Sequence, residues 1–260
     1  MTSQWAAKRK LTYGVIFVVV CVIVVSIPSF LFFNKTPTCF DGVKNQDEKN
    51  IDCGGICTRI CLSDISSPIV MWQRSFPVFS GVYSAVAYIQ NSNVLNRIDD
   101  IGYVFRLYDK NNAVIGERTG HTFLPANQTF AVFESGIRTG TSTPVRTSFD
   151  FTESPKWIQN SANYKEPAIV AENVVLTSDV DMPRINALVH NKSLENIKNL
   201  SAVAIIYDSS DNAIAASRTI IDSLSAKQST PITFTWPTPF SSNAVRKEII
   251  LRIYPAGIAP

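Results

Sequence analysis

The stretch Tyr103-Val104-Phe105-Arg106-Leu107-Tyr108-Asp109 returns further along the chain as Ala204-Ile205-Ile206-Tyr207-Asp208, and around these two segments the C-terminal body can be laid against itself. Ile69-Val70 matches Ile169-Val170, Ala87 matches Ala187, Asn91 matches Asn191 and Asn96 matches Asn196. The period is about one hundred residues, which marks one duplicated domain rather than a solenoid of short units. The offset drops by one across the Tyr-Asp segment and recovers over the turn behind it. There Asn112-Ala113 meets Asn212-Ala213 and Arg118-Thr119 meets Arg218-Thr219, as expected where length changes are confined to loops. Ala126 with Ala226 and Gln128 with Gln228 continue the match.

Within each copy the pattern has a period of two, the sign of half-buried strands. Ala85, Ala87 and Ile89 alternate with Val86, Tyr88 and Gln90; Ile232, Phe234 and Trp236 alternate with Thr233 and Thr235; Val145, Thr147, Phe149 and Phe151 share a side. Turn residues punctuate the runs, at Asp109-Lys110-Asn111-Asn112 and Asp208-Ser209-Ser210-Asp211-Asn212 for instance. Beyond the N-terminal region no amphipathic helix of useful length is found. The fold expected is mainly β: two tandem Ig-like antiparallel β-sandwich domains, at 65–152 and 167–260, joined by a polar linker or edge segment at 153–166. Core packing is expected of Trp236, and a partner-facing role, if any aromatic has one, of Trp157.

The F-R-L-Y-D run at Phe105 to Asp109 resembles the hallmark of the FxLYD family of small β-sandwich domains, which are similar to the water-stress domains of late-embryogenesis-abundant proteins. The resemblance covers roughly Tyr83 to Phe133; the second copy keeps Tyr207-Asp208 and lacks the Phe. It implies an Ig-like module common in membrane-anchored bacterial proteins, and it brings no catalytic residue with it. Read on their own, Tyr closes a strand with its ring buried and its hydroxyl wet, and Asp accepts turn amides as an Asx motif.

Ahead of the repeats, Leu11 to Phe33 contains no Asp, Glu, Lys, Arg or His. At about 1.5 Å per residue such a helix reaches about 35 Å, enough to cross a hydrocarbon core of about 30 Å. The run exceeds the apolar core of a cleavable signal peptide. Val20 stands where a lipid attachment at Cys21 would need a small residue, and Pro28 kinks the span or marks its thinning. Lys8, Arg9 and Lys10 precede it without an acid, so residues 1–10 are expected in the cytoplasm, 11–33 in membrane lipid, and the rest outside the cell.

Residues 34–64 form a Cys-rich juxtamembrane segment. From Cys39 it reads C-F-D-G-V-K-N-Q-D-E-K-N-I-D-C-G-G-I-C, and it resembles a motif of secreted and surface proteins, C-x-D-G-x-x-N-x-x-E-x-x-x-D-C-G-G-x-C, with matches at Cys39, Asp41, Gly42, Asn45, Glu48, Asp52, Cys53, Gly54, Gly55 and Cys57. So few apolar residues need crosslinks to hold one shape. Three readings follow. Cys39, Cys53, Cys57 and Cys61 pair as two disulfides, in any of three connectivities. Alternatively calcium is held by oxygens of Asp41, Asn45, Asp47, Glu48 and Asp52, or zinc is held by the four cysteines.

Chemistry is otherwise sparse. The chain has 24 Lys and Arg against 21 Asp and Glu, and the excess is the N-terminal cluster of three. A neutral body is unsuited to nucleic acid or an anionic lipid surface. The two histidines, His121 and His190, fall at non-equivalent places, and no nucleophile elbow, HExxH pair, Walker loop or dinucleotide fingerprint occurs. Asp99-Asp100 reads as a solvated acid pair. No enzyme and no small-molecule substrate is expected. The expectation is a single-pass surface protein acting in binding or assembly through a protein partner or self-association, with a calcium-dependent adhesive or sensing module as the alternative and an envelope hydrolase as a third.

Overall fold

A computed structural model describes residues 3–33, 38–57, 59–160, 166–177, 182–255 and 258, with helix side chains from 8 to 30. Helix α1 (Ser3–Phe33) runs through Pro28, and its section Lys8–Phe30 is long and apolar enough to cross a membrane. The chain divides into two compact units, Met1–Cys61 and Leu62–Pro260.

The second unit is built from antiparallel strands. The first repeat contributes β1 (Ile69–Phe79), β2 (Val82–Asn91), β3 (Asn96–Tyr108), β4 (Val114–Leu124), β5 (Gln128–Arg138) and β6 (Arg146–Phe151). The short β7 (Ile158–Gln159) follows. The second repeat contributes β8 (Ile169–Thr177), β9 (Arg184–Asn191), β10 (Ile197–Tyr207), β11 (Ala213–Leu224), β12 (Ser229–Thr235) and β13 (Arg246–Ile253). The sheet orders β1-β2-β5 and β4-β3-β6 recur as β8-β9-β12 and β11-β10-β13, so the duplication read in the sequence is a duplication of topology. Within a repeat the two sheets face each other over an apolar core. Ala85, Ala87, Ile89, Phe105, Leu107 and Phe130 lie in the first core, and Ile185, Val189, Leu200, Ile206, Phe234 and Trp236 in the second. Trp236 is buried as expected.

The structural register differs from the sequence match in two places: Asn96 coincides with Glu195 rather than Asn196, each accepting through its carbonyl from the buried Asn91 or Asn191, and the turn after Tyr-Asp is displaced as well. Identical residues suggested that the offset recovers at the turn after Tyr-Asp. Instead Asn112, with φ 62°, coincides with Asp211, with φ 59°, and Thr119 lies opposite Val104 as Arg218 lies opposite Val203. The lost residue is absorbed farther on, where β3 bulges between Ile98 and Ile101 while β10 and β11 run without a bulge there. Asp99 and Asp100 occupy that bulge. Since a one-residue slip sends a side chain to the opposite face, Arg118 and Arg218 are not equivalents despite their matching neighbours.

A second difference concerns the half-buried strands. β2 and β10 are covered on both faces: Val86 and Tyr207 are buried as fully as Ala87 and Ile206. The cause is that Val203, Ile205, Tyr207, Ala213, Ala216 and Ile250 of the second repeat belong to the same apolar cluster as the first core. The outer face of β1-β2-β5 therefore packs on the outer face of β11-β10-β13, and the repeats share a seam.

Part of the stretch 153–166 adds to the first repeat. Ile158 and Gln159 pair with Arg97 and Asn96, Asn160 N–H donates to the Leu95 carbonyl at 2.7 Å, and Trp157 packs against the first core. Trp157 is thus half-buried, with part of its ring on the first core.

Candidate functional site

Two places concentrate polar chemistry, the cysteine segment and the seam between repeats. In the cysteine segment two disulfides form, Cys39–Cys57 and Cys53–Cys61, with Cα separations of 5.6 and 5.1 Å. All four sulfurs are oxidised, so the zinc reading is set aside: no thiolate remains to ligate. Cys39, Glu48 and Cys57 lie close together, but Cys57 Sγ, lacking a proton, only touches Glu48 Oε1 at 3.2 Å.

The acids of the segment hold its turns. Asp52 Oδ1 accepts from the amides of Asp41 and Gly42 at 2.9 and 3.0 Å. Asp41 accepts from the amides of Thr38 and Val43 and from Asn45 Nδ2. Buried Glu48 accepts from the amides of Asn45 and Asp52 at 3.3 and 3.2 Å. Of the five predicted calcium ligands the fold thus links Asp41, Asn45, Glu48 and Asp52. Asp47 enters through its carbonyl, against which Gly55 closes: a Cβ on Gly55 would lie 1.7 Å from that oxygen, and φ there is +62°. Gly54, at φ +70°, would bring a Cβ to 2.7 Å from Lys49 Cβ. Gly55 is therefore required by backbone approach, while Gly42, at φ +75° with open space around it, and Gly54 are favoured by their left-handed backbone. One polar atom is left over: Asn45 Oδ1 is buried without a donor.

The seam is joined by side chains from both repeats. Trp72 stacks on Tyr88 at 5.3 Å and meets Tyr207 edge-on at 6.4 Å. Glu248 accepts from the Tyr88 hydroxyl at 2.7 Å and the Tyr207 hydroxyl at 3.0 Å. Burial, with Glu248 beside them, raises both phenols well above the usual tyrosine range. Arg246 lies over the Tyr207 ring at 3.5 Å, as Arg146 lies over Tyr108 at 3.6 Å. That Arg-Tyr stack belongs to the duplicated hallmark, and the recurrence of Arg146 as Arg246 was the signal available for it. Asp109 and Asp208 each accept two turn amides, as expected of Asx turns. The Tyr207 hydroxyl, by contrast, is not wet.

Three arginines cross the seam to main-chain oxygens, and the first, Arg218, donates to the Phe133 carbonyl at 3.3 Å. Arg74 donates to the Ala213 carbonyl at 3.0 Å and to Asn212 Oδ1 at 2.9 Å. Arg252, only 3% exposed, donates to the carbonyls of Ala131 and Phe123 at 3.1 and 2.7 Å and to Thr122 Oγ1 at 3.2 Å. The rings of Phe123, Phe130 and Tyr254 surround its guanidinium. Burial pushes this guanidinium down from its ordinary value. A cleft of about 480 Å³ opens at one end of the seam, between Phe76 and Phe133 on one side and Arg218, Trp236 and Phe240 on the other.

The remaining predicted groups are placed plainly. His121 Nδ1 lies 2.9 Å from Asp100 on the surface, and Asp99 pairs with Arg97. His190 is on β9, in the other repeat. No arrangement of nucleophile, base and oxyanion donors is found among the described residues.

No family model matches this chain, and no curated protein matches it. Solved structures with some likeness include a transglutaminase of red sea bream, at 10% identity and TM-score 0.22 over 71% of this chain and 31% of that one. A beta-glucuronidase of glycoside hydrolase family 2 is similar at 11% identity and TM-score 0.20, over 79% of this chain and 25% of that one. The chain spans about a third or less of either, and likenesses this weak carry no argument about function.

Proposed function

We propose that the protein is a single-pass membrane-anchored structural and interaction module of the cell envelope, without enzymatic activity. The cluster Lys8-Arg9-Lys10 supports a cytoplasmic N-terminus and an extracytoplasmic body, where disulfides persist. The two repeats are read as Ig-like sandwiches of the FxLYD type, displayed as one stiff block.

The observation that carries this reading is the seam. It joins non-equivalent faces of two equivalent domains, a heterologous contact of the kind that would otherwise propagate from molecule to molecule. The counterpart faces are polar. Where the second repeat sets Ile205, Ala216 and Ile250 into the seam, the first carries Arg106, Glu117 and Asp150 at the corresponding positions, tied to one another at 2.8 and 3.7 Å. Where the first repeat sets Val86 and Phe133 into the seam, the second exposes Asn186 and Thr233. The block is finished as a pair, and partners engage its edges and loops. Chemical crosslinking in native membranes followed by purification of the full-length protein tests this. A stoichiometric protein partner or a homo-oligomer is expected; recovery of the uncrosslinked chain alone would overturn it.

A second reading, the calcium-dependent module, is favoured by the buried unpaired Asn45 Oδ1 beside Asp41 and Glu48. Hard cations take such oxygens. A calcium titration of the full-length protein tests it, and the absence of any thermal shift at millimolar ion sinks it.

A further inference from the structure

The cysteine segment is built inside out. Its buried residues are Glu48, Cys57 and Cys61, a carboxylate and sulfurs. Its large apolar side chains stand at the tips of its turns instead: Phe40 is 78% exposed, Val43 59%, Ile51 54% and Ile56 68%. Phe40 and Val43 flank the Asp41-Gly42 turn. The carboxylate of Asp52 clasps the amides of Asp41 and Gly42, which brings the backbone of its neighbour Ile51 close to this turn. The carboxylates of Asp41, Glu48 and Asp52 are already taken up by backbone amides.

Exposed apolar groups of this density mark an interaction surface, and the chain itself says what lies against it. Only residues 34–37 separate the end of helix α1 from Thr38. Five Cα steps reach at most about 18 Å, so the segment is held at the headgroup layer next to the helix end. We propose that this disulfide-linked segment docks on the bilayer surface, inserting Phe40, Val43 and Ile51 between lipid headgroups. This rests on the reading of α1 as a membrane anchor.

The full-length protein, reconstituted in phosphatidylcholine vesicles containing a lipid with a diazirine at the glycerol end of its acyl chain, is irradiated and mapped by mass spectrometry. Adducts are expected both in 11–33 and at Phe40, Val43 and Ile51. Adducts confined to 11–33 would overturn the docking while leaving the anchor intact; adducts in neither would overturn the anchor and the docking together. The double variant Phe40→Ser, Val43→Ser should lose adducts in the cysteine segment by about a hundredfold, given what burying two such side chains contributes. It should keep its span adducts and both disulfides, checked by non-reducing peptide mapping. With both disulfides formed, unchanged labelling in this variant would also refute the proposal; should the disulfides scramble, Ile51→Ser decides by the same criterion.

Discussion

Replacing Arg252 with Met tests the claim that the repeats are one block. Met keeps the apolar stem and discards the donors. Its loss strands the Ala131 and Phe123 carbonyls, which Arg252 reaches at 3.1 and 2.7 Å inside the seam. These acceptors are main-chain atoms that no second substitution can remove, and each unsatisfied buried acceptor costs about 1–3 kcal/mol. The two together cost about 2–6 kcal/mol. Against this stands the desolvation of a cation that forms no ion pair among the described residues, and whose Nε–H is itself buried without a partner. Removing such a charge recovers part of the loss. The rings of Phe123 and Phe130, at 4.3 and 4.4 Å from the guanidinium, offset some of that desolvation in the native protein. The balance expected for Arg252→Met is a destabilisation of about 3 kcal/mol. At about 2–4 °C per kcal/mol for a body of this size, the melting temperature falls by about 6–12 °C. Urea unfolding of the full-length protein in detergent, followed by tryptophan fluorescence and circular dichroism, reads both the midpoint and the cooperativity. The two probes should part company in the variant, since Trp72 reports the seam and the sheets outlast it. A change below about 0.5 kcal/mol with coincident transitions would refute the reasoning, and the seam would be a passive contact.

Further expectations concern other parts of the molecule. Tyr88 and Tyr207 are held neutral by burial and by Glu248, so their folded pKa values lie above the unfolded value of 10.0. Their contribution is complete below about pH 10 and declines as pH climbs toward the folded values, because the unfolded chain releases its protons first. Melting temperatures from pH 8 to 11 should show this decline, and the variant Tyr88→Phe, Tyr207→Phe should flatten it; identical profiles would contradict the assignment. Asn191 is fully buried, its Nδ2 donating to the carbonyls of Glu195, Leu224 and Ser225 and its Oδ1 accepting from Ser193. Asn191→Leu should cost about 2–4 kcal/mol by chemical denaturation, and a value within experimental error of zero would count against the network. In the cysteine segment, Gly55→Ala should leave scrambled disulfides on a non-reducing peptide map, whereas the native protein yields Cys39–Cys57 and Cys53–Cys61 alone. Native pairing in this variant would show that the approach of Gly55 to Asp47 can relax.

Much of the architecture was legible because it is written locally. Alternation at Ala85, Ala87 and Ile89 shows which residues line the first core, and the Asp109 and Asp208 turns follow from side chains that bond their own neighbours. Repetition itself revealed the domain, and the buried pair Asn91 and Asn191 shows why some repeated residues are the same. The register of β4 against β11 was misread because identical letters, Arg118-Thr119 and Arg218-Thr219, outweighed geometry. Only pairing opposite Val104 and Val203 shows that Arg218 belongs with Thr119. In the cysteine segment the composition pointed to crosslinks and acids, but not to the inward turn of the carboxylates or the choice among three pairings.

What the chain determined by itself was its repertoire: an apolar helix, a cysteine-rich segment in need of crosslinks and two matching sets of strands, each a consequence of hydrophobic period, turn chemistry and composition acting over a few residues. What only the tertiary structure decided was which faces of those sets meet. Alternation tells which side of a strand is apolar, yet β2 and β10 are apolar on both, and no local rule selects the partner of the second face. That choice depends on Arg252, Glu248 and Trp72 arriving together from distant parts of the chain, where the buried Arg252 cation and the half-buried Tyr88 phenol are tolerable because the opposing repeat supplies carbonyls and rings to the one and the Glu248 carboxylate to the other.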